Sequence, residues 1–285
     1  MAEYRDSSYF WQKKIFWDIV VYAMLIIGSL MFLLPILFAL SSSFKSDAQI
    51  LEIPPRWMPD PFRWQNYPEA LTYVPFGRFT LNTLIIAAGA ILGNLLSCTI
   101  IAYGFARLRA PGKNFLFILM LSTMMLVEPV RIIPIYIIFN KLGWVDSFLP
   151  MIVPAFFGSP FYIFLLRQFF LGIPRELEDA ALIDGAGRLQ ILWRIIIPCA
   201  RPALAAVAVF NFQGVWNDFL YPLVFLHKQS NYTIALGMSF YRSMYSVHWG
   251  YLMAASVVAL LPMVVIFFLA QKTFIEGISF SGIKG

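Results

Sequence analysis

The chain has 285 residues, of which 60% are hydrophobic and only 13% charged, and its mean hydropathy is +0.74. Soluble globular chains carry about 25% charged residues. A chain with 28 Phe and so little charge has too little polar surface to face water on all sides, so a soluble domain is excluded and a bilayer is the solvent that fits. The net charge of +6 does not point to nucleic acid, because the basic residues sit mostly in short loops between apolar runs, where membrane topology places them.

A helix needs about 20 apolar residues to cross the hydrocarbon core. In chain order, a polar tail over 1–14 precedes spans predicted at 15–42, 80–106, 114–139, 147–171, 199–226 and 247–271, with a long loop at 172–198 and a tail at 272–285. The fold class is therefore all-α, polytopic, with six transmembrane helices. The runs 19–44, 79–106, 147–166 and 243–271 contain no Asp, Glu, Lys or Arg; the third span carries Glu128 and Arg131, and the fifth carries Asp218. The first run is far longer than the roughly 7–15 residues of a signal-peptide core, so it reads as an uncleaved span in spite of Lys13 and Lys14 before it. Alternate loops divide the basic residues 13 against 7, the larger set lying in both tails and in the loops around 107–113 and 167–201. The positive-inside rule then places both termini in the cytoplasm.

Between the first two spans lies an outer loop with Trp57, Trp64, Tyr67, Tyr73 and Phe76. Tryptophan and tyrosine favour the membrane interface; this loop reads as an interfacial segment on the outer leaflet, or as a contact for a docked protein. Pro35, Pro129, Pro134, Pro154, Pro202, Pro222 and Pro262 fall in or beside the spans, a pattern of broken helices that suits a transporter better than a rigid anchor. Cys98 and Cys199 have no metal or disulfide spacing and read as small packing residues. His227 and His248 fall at outer membrane edges.

The loop GIPRELEDAALIDGAGRLQILWRIIIP, residues 172–198, is long for a turn and too charged for a span. Its chemistry predicts helix, glycine turn, helix. Pro174 suits a first helical position. Glu176, Glu178 and Asp179 then oppose the helix dipole, and Asp184-Gly185 supplies the left-handed stop. A second helix from Arg188 places Leu189, Leu192 and Ile196 on one face. Ala180 and Ala181 leave the first helix nearly smooth beside an acidic rim, a shape suited to docking by a cytosolic protein or to packing on the chain's own loops.

Charges inside a membrane are costly and mark either compensating pairs or solute paths. Glu128 and Arg131 are three residues apart and able to pair on one helical face, with Pro129 between them. Asn211 and Asp218 are seven apart and share a face, near Trp216 and Asn217. Amides and a carboxylate beside flat aromatic surface suit a sugar, so Glu128, Arg131, Asn211, Trp216, Asn217 and Asp218 are candidate lining of a solute path.

The stretch ELEDAALIDGAG followed by Ile197-Pro198 resembles the EAA loop of ATP-binding-cassette importer permeases, with Asp179 where that family usually has Glu. PPRWMPDPFRWQNYPEAL, RIIPIY, FLLRQFF, WNDFLYPL and QKTFIEGISFSGIKG are similar to the MalG-like permeases of carbohydrate importers. The resemblance implies a type I importer permease fold in a bacterial inner membrane. It implies a second homologous permease subunit, two ATPase subunits that use ATP and Mg, and an extracytoplasmic solute-binding protein as partners. It also implies that Glu176, Glu178, Asp179, Ala180, Ala181, Asp184 and Gly185 form the ATPase-coupling loop.

No Gly-x-x-x-x-Gly-Lys-Ser/Thr occurs in the sequence. Lys113 follows Gly112 without a preceding strand, and no nucleophile–base pair or metal spacing is present. These readings make the chain a non-catalytic subunit that binds no cofactor or nucleic acid itself. Alternatives are the same architecture carrying glycerol phosphate, a peptide or another solute, a membrane receptor or scaffold, and, least, a membrane enzyme.

Overall fold

A computed structural model describes residues 4–242 and 247–279, with side chains over 16–242 and 247–271. The remainder of the predicted tail at 272–285 lies outside these described residues. Helices account for nearly all of the regular structure, and the described residues contain one isolated bridge, Arg242 to Val247, and no strand. Four helices are long and apolar enough to cross a bilayer: Phe16–Ser42, Phe76–Arg107, Leu149–Gly172 and Trp249–Gln271. Two further pairs are bent, Lys113–Met125 with Glu128–Lys141 by 100° and Arg188–Cys199 with Arg201–Asn217 by 78°; taking each as one span makes six. The third predicted span is thus broken ahead of Pro129, at Leu126 and Val127, where extended backbone interrupts the helix and Pro129 opens the next one. The fifth is interrupted again at Asp218 and Phe219, before Leu220–Phe225.

The chain divides into two compact units, residues 1–70 with 241–258, and residues 71–240 with 259–285. In the first, the loop after Phe16–Ser42 folds back on its own backbone. The buried Asn66 amide donates to the carbonyls of Ser43 (2.9 Å) and Lys45 (2.8 Å), and Lys45 Nζ donates to Arg56 O at 2.5 Å. Ser43 Oγ and Tyr67 OH share a hydrogen bond, and Phe44 stacks on Phe62. Gly250 N donates to Asp47 Oδ1 at 2.7 Å. A Cβ on Gly250 would lie 3.0 Å from the Asn66 amide and the Lys45 carbonyl, tighter than ordinary contact, so glycine eases this approach. Of the aromatic residues expected at an interface, Trp57, Trp64 and Tyr73 are exposed, whereas Tyr67 is bound to Ser43 and Phe76 is buried.

The second unit holds a continuous hydrophobic core. Cys98, Ala102, Tyr103 and Ala106 of Phe76–Arg107 pack with Ile163, Leu166 and Phe170 of Pro160–Gly172, and with Ile191, Leu192, Ile196, Ala203 and Val207. Small residues allow this. A Cβ on Gly89 would meet Ile152 at 2.8 Å, and one on Gly93 would meet the Phe156 ring at 2.8 Å and the Ala155 backbone at 3.0 Å. Ser97 Oγ, four residues further on, donates to Ala155 O at 2.8 Å. Gly89, Gly93 and Ser97 form a small-residue stripe that brings two backbones together, the usual way helices pack in lipid. Cys98 is buried in this core and Cys199 is exposed.

Candidate functional site

The loop at 172–198 folds as a helical hairpin. Its first helix is Glu176–Ile183, starting two residues later than Pro174 suggested, because the first turn closes on the Arg175 carbonyl. Gly185 ends it at φ +80°. Ala186 N donates to Ala181 O and Gly185 N to Leu182 O, the paired bonds of a Schellman stop. The second helix, Arg188–Ile191, passes into a π turn over Leu192–Ile196. That turn carries an extra residue and resets the helical phase. The buried stripe is therefore Ile191, Leu192 and Ile196, and Leu189, expected on the same face, is 66% exposed.

Glu178 departs from the expected acidic rim. It turns inward and is 5% exposed, while Glu176, Asp179 and Asp184 face out. Its Oε1 lies 2.8 Å from Arg107 Nε, with both side chains buried. The N–H is not aimed at the oxygen, so the contact is an ion pair rather than an aligned hydrogen bond. Arg107 Nη2 also donates to the carbonyls of Phe170 and Ile173, each at 2.5 Å. One guanidinium thus joins the end of Phe76–Arg107, the end of Pro160–Gly172 and the hairpin helix. The smooth patch is likewise split: Ala181 is buried in the core and Ala180 is exposed. The outward surface is Leu177, Ala180, Leu182, Ile183 and the three acids Glu176, Asp179 and Asp184, with Ile183 87% exposed. Beside the hairpin lies a recess of about 510 Å³ lined by Arg107, Leu108, Arg109, Arg175, Glu178, Asp179 and Arg188.

A second cavity, of about 650 Å³, opens between helices of the same unit. Its walls come from Ile86, Ala90 and Asn94; Glu128, Ile135 and Phe139; several positions from Pro150 to Tyr162, among them Ser159; Asn211, Gly214, Val215, Asp218, Tyr221 and Pro222; and Thr233. Asn211 and Asp218, seven residues apart, both line it, and Glu128 joins them from another helix, a meeting that spacing along the chain does not reveal. Arg131 does not line it, and no ion pair joins Arg131 to Glu128 among the described residues. The bend turns Glu128, in the first turn of its helix, onto the cavity wall. Trp216 stays away from the cavity: it is buried, stacks on Phe212 and donates to Ala259 O at 3.1 Å. Asn217 is exposed and donates to Gln213 O. Asn94, Ser159 and Tyr162 are wall residues that the sequence reading missed; Asn94, one residue past Gly93 in a charge-free helix, was the available signal. Among the described residues no group of three His, Cys, Asp or Glu could hold a metal.

The described residues thus give an all-helical unit with broken spans, a hairpin tied by a buried ion pair, and a mainly apolar cavity with two carboxylates and two amides on its wall, an architecture shared with the permeases of type I importers. The family described as the binding-protein-dependent transport system inner membrane component matches residues 8–279. The chain belongs to that family and is a multi-pass inner-membrane subunit of a transport system. It is 34% identical over 263 residues to the diacetylchitobiose uptake system permease protein NgcG of Streptomyces coelicolor, covering 91% of this chain and 87% of that one. It is 34% identical over 272 residues to the sn-glycerol-3-phosphate transport system permease protein UgpE of Yersinia pestis, covering 92% and 95%. The arabinooligosaccharides transport system permease protein AraQ of Bacillus subtilis is 33% identical, covering 90% and 92%. The fold matches a chain in the structure of a bacterial transporter that imports the acidic polysaccharide alginate, with a TM-score of 0.78 at 24% identity, covering 90% and 96%.

Proposed function

We propose that the chain is the permease subunit of an ATP-driven, binding-protein-dependent importer of sugars or oligosaccharides. It pairs with a second permease subunit, receives solute from an extracytoplasmic binding protein, and is driven by two ATPase subunits. Both termini lie in the cytoplasm, and the hairpin at 172–198 faces the ATPases. The carrying observation is the division of labour in that hairpin: Glu178 is tied to Arg107 inside, while Leu177, Ala180 and Ile183 are left exposed on the other side. Apolar side chains exposed outside the lipid-facing surface suit burial by a partner. Movement of the hairpin would then reach two spans through the Arg107 guanidinium. The permeases for diacetylchitobiose and arabinooligosaccharides among the relatives support the sugar class.

The test separates docking from folding. Ala180→Trp enlarges an exposed position, whereas enlarging Ala181 would strike the chain's own core. Ala180→Trp is expected to leave membrane insertion and thermal stability intact while uptake and solute-stimulated ATPase activity fall at least about tenfold, the loss of about 1.4 kcal/mol of coupling. Unchanged transport would defeat the assignment. A second reading, import of glycerol phosphate, draws support from the Yersinia relative and would call for cations on the solute path.

A further inference from the structure

Among the described residues, the cavity walls carry two carboxylates, Glu128 and Asp218, and no Lys, Arg or His. Arg131, one helical turn beyond Glu128, is absent from the wall. A third feature marks this as a place for a ligand rather than a chance gathering of acids. Asn211, on the same wall, is 4% exposed, and its Oδ1 is buried without a hydrogen-bond partner. A buried amide oxygen left unpaired is costly and is satisfied by a donor such as a hydroxyl. Asn94, 6% exposed, lies on the facing helix, and Tyr162 supplies a flat apolar face. The volume of about 650 Å³ is that of an ordinary small-molecule site.

We infer that this cavity admits carbohydrate without negative charge, neutral or cationic, and turns away uronates and phosphate esters; the inference rests on the reading of the chain as a sugar permease. The physics is field focusing. A cleft lined by one sign of charge, with low-dielectric walls, concentrates its potential over the bound solute. Amides and a tyrosine ring take hydroxyls and sugar faces at no electrostatic cost, an ammonium group gains from both acids, and a carboxylate or phosphate meets two like charges. Asp218 keeps part of its acceptor capacity for the fold, since Oδ1 accepts from Tyr221 N at 3.2 Å. Asparagine at that position preserves this bond and removes only the charge.

The test uses the assembled transporter purified with its partner subunits but without the binding protein, so that delivery does not set the result. Three photoreactive aryl glycosides serve as probes: a neutral N-acetylated chitobioside, its de-N-acetylated cationic form and a glucuronide. Labelling is mapped to peptides carrying Tyr162 and Asn211. The neutral and cationic probes are expected to label these about tenfold more than the glucuronide, the scale of one unfavourable contact of about 1.4 kcal/mol. In the double variant Glu128→Gln, Asp218→Asn that ratio is expected to fall towards one. The single variants each lower it part way, and recovery of assembled complex checks folding. Equal labelling by all three probes in the unmodified transporter overturns the charge inference and leaves the permease reading standing, as does a ratio unmoved by the double variant. Failure of every probe to label these peptides, in a preparation that takes up its cargo once the binding protein is added back, overturns both the inference and the assignment of this cavity to the solute path.

Discussion

Phe16–Ser42 and Phe76–Arg107 are both apolar enough to cross a bilayer, yet they are built for different neighbours. None of the most apolar stretch of Phe16–Ser42 is buried within the chain, whereas 39% of that of Phe76–Arg107 is. The first presents large side chains all round: Tyr22, Met24, Leu25, Ile27, Met31 and Phe32 are each more than half exposed. The second sets Gly89, Gly93 and Ser97 along one side and packs on the backbone near Ala155. The lesson is that apolarity inserts a helix but does not pack it. Lipid is as apolar as leucine, so close packing comes from small residues and polar contacts.

The contrast can be broken most forcefully at Arg107. Arg107→Met removes the partner of a buried carboxylate and should lower stability by about 3–4 kcal/mol, read as thermal unfolding of the purified complex in mild detergent. Adding Glu178→Met should restore much of that loss, since an apolar pair replaces an ionic one with little net cost. If the double variant were no more stable than the single, the ion pair would not be the reason Arg107 matters.

A smaller effect tests the packing itself. Gly93→Leu forces a side chain into Phe156 and Ala155 and should cost about 2 kcal/mol. Gly28→Leu, in the first span, meets nothing within 4 Å and should stay within about 0.5 kcal/mol. Equal melting shifts for the two glycines would erase the distinction between the helices.

The smallest effect concerns a loop. Asp146, at φ +62°, accepts from His227 N and Lys228 N, and its Oδ2 lies 3.2 Å from Lys228 Nζ. The backbone hydrogen bond from Lys228, then the one from His227 and the contacts of the Lys228 and Asn231 side chains, hold the carboxyl down to about 2, outweighing its desolvation. Its unfolded pKa is about 3.9, so its contribution is complete above that value and lost as pH falls towards 2. Asp146→Asn should lower stability by about 1 kcal/mol at neutral pH. Melting temperatures of variant and parent should run parallel from pH 5 to 8, about the neutral range, and converge between about pH 4 and 2. Parallel curves through the acid range would mean that the charge contributes nothing.

Much of the site could be read from the chain, and the parts that could not share one cause. The helix from Glu176, its stop at Gly185 and the meeting of Asn211 with Asp218 follow from local chemistry and from spacing, which act within a few turns. The inward turn of Glu178 was not legible, because Arg107 lies 71 positions earlier and nothing local distinguishes Glu178 from Asp179. The exposure of Leu189 was hidden by a π turn that a period of 3.6 residues does not describe. Trp216 looked like a sugar platform beside Asn217 and Asp218, but its partners, Phe212 and the Ala259 carbonyl, draw it into the packing.

The sequence by itself determined the solvent, the helical class, the apolar segments and the hairpin with its glycine stop, because each depends on composition or on neighbours along the chain. Only the tertiary structure decided which of two adjacent acids is buried, which charges share a cavity and which of two adjacent alanines is exposed. Those outcomes depend on pairings between residues far apart in sequence, where the cost of burying a charge or an amide is set by whatever folding brings against it.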